Sequence, residues 1–356
     1  MSENPVGLPG FLPWQHDTAQ HWLGHRERFA HAWLIHGLPG IGKTQFALAA
    51  AASLLCEQPT YGLACGHCAA CLWVAHGNHP DLRRIRPDAV ALEEGEPGED
   101  EGAGTAAKKA PSRDIRIDQL RALGDWFNTA THRGGWRVAV LYPAHAMNTI
   151  TANALLKVLE EPPAHTVFLM VADAPDRLLP TLVSRCRRLP LPMPSHANAV
   201  QWLAGEGVAQ PEQWLAAAGG APLRARSMAQ SGDTPCPHWL VEFSTLLARG
   251  QAPEIGGCAD QVEKLAPEAW IDALQRLFVD LLLARAGAAA RYYPALQSQV
   301  SAIAARAAPA ALGDTAKWLA QQRGIAGHPL NAKLFVHSAL QRVALACAPA
   351  AGAQRP

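Results

Sequence analysis

An α/β domain built on a parallel sheet, followed by an all-helical region, is the fold class this sequence predicts. Two observations carry the first half. Ala32–His36, Arg137–Leu141 and Thr166–Ala172 are short apolar runs bounded by Gly, Pro or polar residues, as buried parallel strands are. Ala-rich helical stretches separate them, which implies crossover connections between parallel strands. A third observation carries the second half. Beyond about Pro237 the apolar residues recur at helical spacing, as in Trp270–Ala284 and Leu330–Ala346, with no strand pattern between.

Length and composition bound the rest. The chain has 356 residues, enough for two or three domains and for a core that needs no covalent staple. Its 31 basic and 30 acidic residues leave a net charge of +1, which argues against a surface that is one continuous polyanion sponge. Apolar residues make up 49% and charged residues 17%, against about 25% charged in a typical domain, which fits a protein that hides surface against partners. The same balance excludes wholesale disorder. There is no uncharged apolar run of membrane-spanning length, and the opening MSENPVGLPG lacks the pattern of a secretory signal. With eight cysteines and no export signal, the expected compartment is the reducing cytoplasm, and no membrane partner is expected.

The first apolar run, AWLIH, leads into Gly37-Leu38-Pro39-Gly40-Ile41-Gly42-Lys43-Thr44, a full match to G-x-x-x-x-G-K-S/T, and then into the helical TQFALAAAASLLC. Strand, glycine loop and helix in that order are what a phosphate-binding loop requires. Gly37, Gly40 and Gly42 let backbone N–H groups turn inward, Lys43 brings a positive charge to the β- and γ-phosphates, and Thr44 offers a hydroxyl to Mg²⁺. The loop could hold ATP or ADP. A hydrolysing site also needs an Asp at the end of a second strand to hold the metal, usually with a Glu to orient water. The strand Arg137–Leu141 is followed by Tyr142-Pro143-Ala144-His145, which contains no carboxylate. Mg²⁺ and the attacking water would be poorly held, and losing such groups costs about 10³ or more in rate. The expectation is a chain that binds nucleotide weakly or statically and hydrolyses little.

Cys56, Cys65, Cys68 and Cys71 place four thiols within sixteen residues. In a reducing compartment that spacing predicts a zinc site. Four thiolates leave no open coordination position, so the metal is expected to be structural. Cys56 should end the helix that follows the phosphate loop. Residues 88–113 include EEGEPGEDEGAGTAAKKAPS, which has almost nothing to pack and is expected to be a disordered, solvated insertion. Further on, LPMPSHANAV carries a helix start at Pro194-Ser195, and another helix is expected after Gly219-Gly220.

Asn153-Ala154-Leu155-Leu156-Lys157-Val158-Leu159-Glu160-Glu161-Pro162-Pro163, followed by a strand and then Ser184-Arg185-Cys186, strongly resembles bacterial clamp-loader subunits of the AAA+ superfamily. The likeness extends to Pro13-Trp14-Gln15, the phosphate loop, the four cysteines and His328-Pro329-Leu330-Asn331. Because the acid pair kept by the gamma and tau motor subunits is absent, the sequence looks most like the delta-prime, or stator, family of DNA polymerase III. The resemblance implies an AAA+ domain over residues 1–190 with a zinc module at about 56–80, a helical lid over 191–236 and a helical collar over 237–356.

It also implies a hetero-oligomer with gamma/tau and delta subunits that loads a sliding clamp on primed DNA, the DNA being reached through the complex. Arg185 would be offered in trans to a neighbour's ATP, where such an arginine is worth about 10³–10⁵ in rate, with Ser184 supporting it. The local alternative for Arg185 is a carboxylate such as Asp176. Two positions depart from the motor pattern: Ala172-Asp173 replace hydroxyl residues after the strand, and Arg224 falls one position past the motor subunits' sensor arginine. Two other functions compete with this one. An ATP-hydrolysing gamma/tau-type motor lacks its acids here. A stand-alone DNA-binding zinc module has only Arg83, Arg84 and Arg86 to offer near the cysteines.

Overall fold

The computed structural model describes residues 7–25, 29–95, 110–127, 129, 131–132, 135–232, 234–250, 255–326 and 331–349. The chain divides into two compact units, residues 1–198 and 199–356.

The first unit is organised by a five-stranded, all-parallel sheet in the order β2-β3-β4-β1-β5. Its strands are β1 (Ala32–His36), β2 (Leu82–Ile85), β3 (Arg137–Leu141), β4 (Thr166–Ala172) and β5 (Arg187–Pro190). The three strands expected from apolar runs are β1, β3 and β4, with the expected bounds. They are the central three, so both faces are covered and every second residue serves a different core. Val138, Val140, Val167, Leu169 and Val171 join one hydrophobic cluster, while Ala139, Leu141, Phe168 and Met170 join another on the opposite side. The edge strands β2 (LRRI) and β5 (RRLP) are short and charged, which blunts an exposed sheet edge and also hides it from an apolar-run search.

Helices cover both faces. On one side lie α1 (His16–Leu23), α2 (Lys43–Leu55) and α3 (Ala69–Ala75). On the other lie α5 (Ile117–Phe127), α6 (Thr149–Glu160) and α7 (Pro180–Ser184), with α4 (Asp88–Glu93) preceding them in the chain. The alanines of α2 let its axis approach β1, β3 and β4 closely, and Ala47, Ala50, Ala51 and Ala52 are fully buried there. Asn148 caps α6, its side chain accepting from Thr151 N at 2.9 Å.

The insertion differs from expectation at both ends. Residues 88–93 form α4, Ala89 N donates to Ser112 O at 3.0 Å, and Arg116 pairs with Asp88 at 3.0 Å. The polar composition of the whole segment masked a short DAVALE turn that anchors its base. The expected disorder over residues 96–109 falls outside the described residues.

The second unit is helical among its described residues: α8 (His196–Gly205, which begins in the first unit), α9 (Pro211–Ala217), α10 (Pro222–Gln230), α11 (His238–Ala248), α12 (Ile255–Val262), α13 (Pro267–Arg285), α14 (Gln297–Arg306), α15 (Pro309–Ile325) and α16 (Ala332–Cys347). Ser195 Oγ accepts from Asn198 N at 3.2 Å at the expected helix start. Ala199, Leu203, Trp214, Leu215 and Ala225 form one cluster. A larger one runs from Trp239 to Cys347, centred on α13, which packs against α14 and α15. Within that larger cluster sits a fully buried carboxylate. Asp280 accepts from the backbone N–H groups of Arg291 (2.7 Å), Tyr292 (3.0 Å) and Tyr293 (2.8 Å), tying the loop after α13 to that helix.

Candidate functional site

The phosphate loop lies where β1 ends and α2 begins, at the carboxyl edge of the sheet, the edge at which open parallel sheets bind ligands. Two glycines are dictated by the geometry. Gly42 caps α2 with φ 88°, a left-handed conformation costly to other residues. At Gly37 a Cβ would stand 2.7 Å from the Leu191 carbonyl oxygen. Gly40 is also left-handed, with φ 79°. Lys43 and Thr44 open the first turn of α2, Lys43 buried and Thr44 half-buried.

A clasp that the motif alone does not reveal holds the loop from behind. Gln15 is buried, and its Nε2 donates to Gly42 O at 2.9 Å and Ile41 O at 3.2 Å. Its Oε1 accepts from Leu12 N at 3.0 Å, and Trp14 Nε1 donates to Ile41 O at 3.1 Å. Pro13-Trp14-Gln15 therefore fixes the two residues preceding Lys43.

The lysine is itself engaged. Lys43 Nζ donates to Leu38 O at 2.6 Å and forms an ion pair with Asp173 Oδ1 at 2.6 Å. Asp173 follows the last residue of β4, and register places His36 beside Ala172, so the carboxylate stands level with the start of the loop. At the end of β3 the position of the missing acid is filled by Tyr142, which is buried and donates its hydroxyl to Glu94 Oε2 at 2.9 Å. Glu94 in turn pairs with Arg86 Nε at 2.9 Å. Burial holds the Tyr142 phenol well above its ordinary value, with Glu94 adding to the effect against Arg86, so it stays neutral at the sheet edge.

The four cysteines converge as their spacing predicts. Their Sγ atoms all lie within 4.8 Å of one another. Cys56 caps the end of α2 and Cys68 caps the start of α3, so two helix ends and the intervening loop meet at the cluster. Cys56 and Cys68 Sγ are 3.9 Å apart, Cys65 and Cys71 Sγ 4.0 Å. A tetrahedron with bonds of about 2.3 Å requires sulfur separations of about 3.8 Å, so the set fits a four-thiolate metal site. Burial raises Cys68, but hydrogen bonds from the backbone N–H groups of Cys71 and Glu57 and from neighbouring thiols outweigh it and bring the group down to about 7. Burial holds Cys56 and Cys71 above their ordinary value. No other cluster of three or more metal-ligating side chains occurs among the described residues.

Arg185 follows α7 and precedes β5. It is half-exposed and pairs with Glu160 at the end of α6, not with Asp176, and its Nη1 donates to Thr181 O at 2.9 Å. Ser184 Oγ donates to the same carbonyl at 3.0 Å, so both side chains are anchored on one oxygen. Cys186 is pushed up to about 12 by burial and behaves as a packing thiol. Arg224 pairs with Asp272 at 3.3 Å, which also meets Arg276 and Arg323.

A glycine loop with its lysine between a parallel strand and a helix, at the carboxyl edge of a sheet ordered β2-β3-β4-β1-β5, defines a phosphate-loop protein of AAA+-like architecture. The family profile described as "DNA polymerase III, delta subunit" matches residues 19–195. The chain is 31% identical over 323 residues to "DNA polymerase III subunit delta'" of Escherichia coli, a match covering 88% of each chain. It is 40% identical over 229 residues to the protein of the same name in Pseudomonas aeruginosa, a match that spans only 63% of either chain. Among solved structures it is similar to a DNA polymerase III gamma subunit-related protein of Thermotoga maritima, with 16% identity, a TM-score of 0.47, and coverage of 94% of this chain and 99% of that one. The chain belongs to the DNA polymerase III delta' family. No helix among the described residues is long and apolar enough to cross a membrane.

Proposed function

We propose that this chain is the stator subunit of the DNA polymerase III clamp loader, a protein that completes a neighbour's ATPase site while hydrolysing little ATP itself. The observation that carries the reading is the end of β3. Tyr142 stands where a metal-holding acid is needed, and its hydroxyl bonds Glu94, whose carboxylate Arg86 also engages. A phosphate loop with no metal-holding acid at the end of the neighbouring strand is a poor hydrolase. Membership of the delta' family supports this reading, in which the partners are gamma/tau and delta subunits in a hetero-oligomer, the sliding clamp, and primed DNA reached through the complex.

In that assembly Arg185 serves as the trans arginine. Its guanidinium is half-exposed and held on the Thr181 carbonyl beside Ser184, so it can leave Glu160 for a γ-phosphate. There it would stabilise charge that develops as the phosphoryl group transfers. Cys56, Cys65, Cys68 and Cys71 hold a structural zinc that joins the end of α2 to the start of α3.

The test is ATP turnover by the reconstituted loader with clamp and primed DNA, comparing wild-type chain with Arg185→Ala after equal assembly has been verified. Single-turnover hydrolysis at the neighbouring site should fall by about 10³-fold or more. An unchanged rate would remove the trans role and leave the chain a scaffold. ATP turnover by the purified chain that is abolished by Lys43→Ala would favour the motor reading instead.

A further inference from the structure

We infer that the phosphate loop is built for a nucleoside diphosphate and excludes a third phosphate, with Asp173 as the excluding residue. This rests on the reading of the loop as a nucleotide site, and it names the ligand that the site takes.

The loop offers two different things to a nucleotide. Its backbone N–H groups and the start of α2 form a cradle for the α- and β-phosphates, which needs no side-chain charge. The terminal phosphate of a triphosphate instead depends on the lysine and on a divalent cation held by an acid. The cradle is intact here, with Gly37, Gly40 and Gly42 in their special conformations and Gln15 bracing the carbonyls of Ile41 and Gly42. The provision for the third phosphate is altered at both points.

The lysine comes first. An ammonium carries three N–H donors. Lys43 has a side chain only 3% exposed and places one donor on Leu38 O and another on Asp173 Oδ1, each at 2.6 Å. One donor remains for a phosphate. The Lys43–Asp173 pair sums to zero charge, so it presents no net attraction to a further anion. Asp173 is 45% exposed and directly follows β4, the strand between the loop strand β1 and β3. A γ-phosphate seeking Lys43 must therefore displace this carboxylate or lie against it.

The cation comes second. The end of β3 supplies Tyr142 in place of an acid, and Glu94 beside it is engaged by Arg86 and by the Tyr142 hydroxyl. Among the described residues at the end of β3, no uncommitted acid stands ready to hold the Mg²⁺ that could relieve repulsion between Asp173 and a third phosphate. Asp173, just past the neighbouring strand, does not replace that missing cation ligand, because its bond to Lys43 commits it to a competing charge.

The experiment measures ADP and ATP affinity of the full-length chain by calorimetry, with Mg²⁺ and with EDTA, for wild type, Asp173→Asn and Lys43→Ala. Wild type should bind ADP at least about tenfold more tightly than ATP, with or without Mg²⁺. Asp173→Asn should tighten ATP by about tenfold, leave ADP within about threefold, and so erase the preference. Lys43→Ala should weaken both. Thermal unfolding checks that Asp173→Asn folds, and Asp173→Ser gives the same comparison if it does not. The inference is overturned if wild type binds ATP as well as ADP, if Asp173→Asn weakens ATP only when Mg²⁺ is present, or if neither nucleotide binds. None of these results bears on the Arg185 measurement in the assembled loader, so the stator reading can stand or fall separately.

Discussion

Replacing Gln15 by Met tests whether the segment before α1 sets the conformation of the phosphate loop. Methionine keeps the length and most of the volume of glutamine, so packing around a side chain that is 2% exposed is largely preserved. Three hydrogen bonds disappear: Nε2 to Gly42 O, Nε2 to Ile41 O, and Leu12 N to Oε1. The two carbonyls keep other donors, since Ile41 O still accepts from Trp14 Nε1 and Gly42 O from Phe46 N. Each of those losses is worth about 0.5–1.5 kcal/mol. Leu12 N–H is different, because Oε1 is its partner and the site is buried; an orphaned donor there costs about 1–3 kcal/mol. With some relaxation, the first unit should lose about 2–4 kcal/mol. Native-state hydrogen exchange reads this directly, as faster exchange at Leu12 and through the first turn of α2 with the second unit unchanged. Gln15→Glu should be worse still, because its carboxylate would face the carbonyl oxygens of Ile41 and Gly42. A loss below about 0.5 kcal/mol for Gln15→Met, or an equal effect on both units, would refute the clasp.

Asp280→Ala should destabilise the second unit by about 3–5 kcal/mol in urea unfolding, because it strands three backbone N–H donors at Arg291, Tyr292 and Tyr293; a loss under about 1 kcal/mol would contradict the anchoring role. Zinc added to metal-free chain at pH 8 should bind with release of protons, since burial keeps Cys56 and Cys71 as thiols while Cys68, brought to about 7, is already largely ionised. Cys71→Ser should weaken binding and lower the stability of the first unit, and a metal titration with no proton release would contradict the thiol assignment. The thiols of Cys236 and Cys347 are pushed up to about 12 by burial, the former also by Asp280, whereas an unfolded thiol ionises near about 8.5. Their contribution to stability is complete below pH about 8.5 and is lost as pH rises from there towards about 12. Unfolding monitored across that range should show a fall that Cys347→Ala diminishes.

Whatever depends on a local pattern is legible in the chain alone. β1, β3 and β4 are runs of apolar residues because both faces of a central parallel strand are buried, so composition and strand bounds coincide. The phosphate loop and the four-cysteine spacing were equally legible, since each acts through residues within one short stretch. The absence of an acid after β3 could be read in the same way.

Which side chains meet is a matter of the fold. Asp173 meets Lys43 across 130 positions of sequence only because β4 lies beside β1 in a register that aligns Ala172 with His36. Glu160 rather than Asp176 takes Arg185 because α6 ends beside the turn after α7. Gln15 reaches Gly42 because α1 packs on α2, and Glu94 reaches Tyr142 because a short helix anchors an otherwise polar insertion. Side-chain chemistry is a property of the residue and can be read in one dimension. Charge compensation acts through space, falling off over a few ångströms, so the fold alone selects which opposite charge each residue meets.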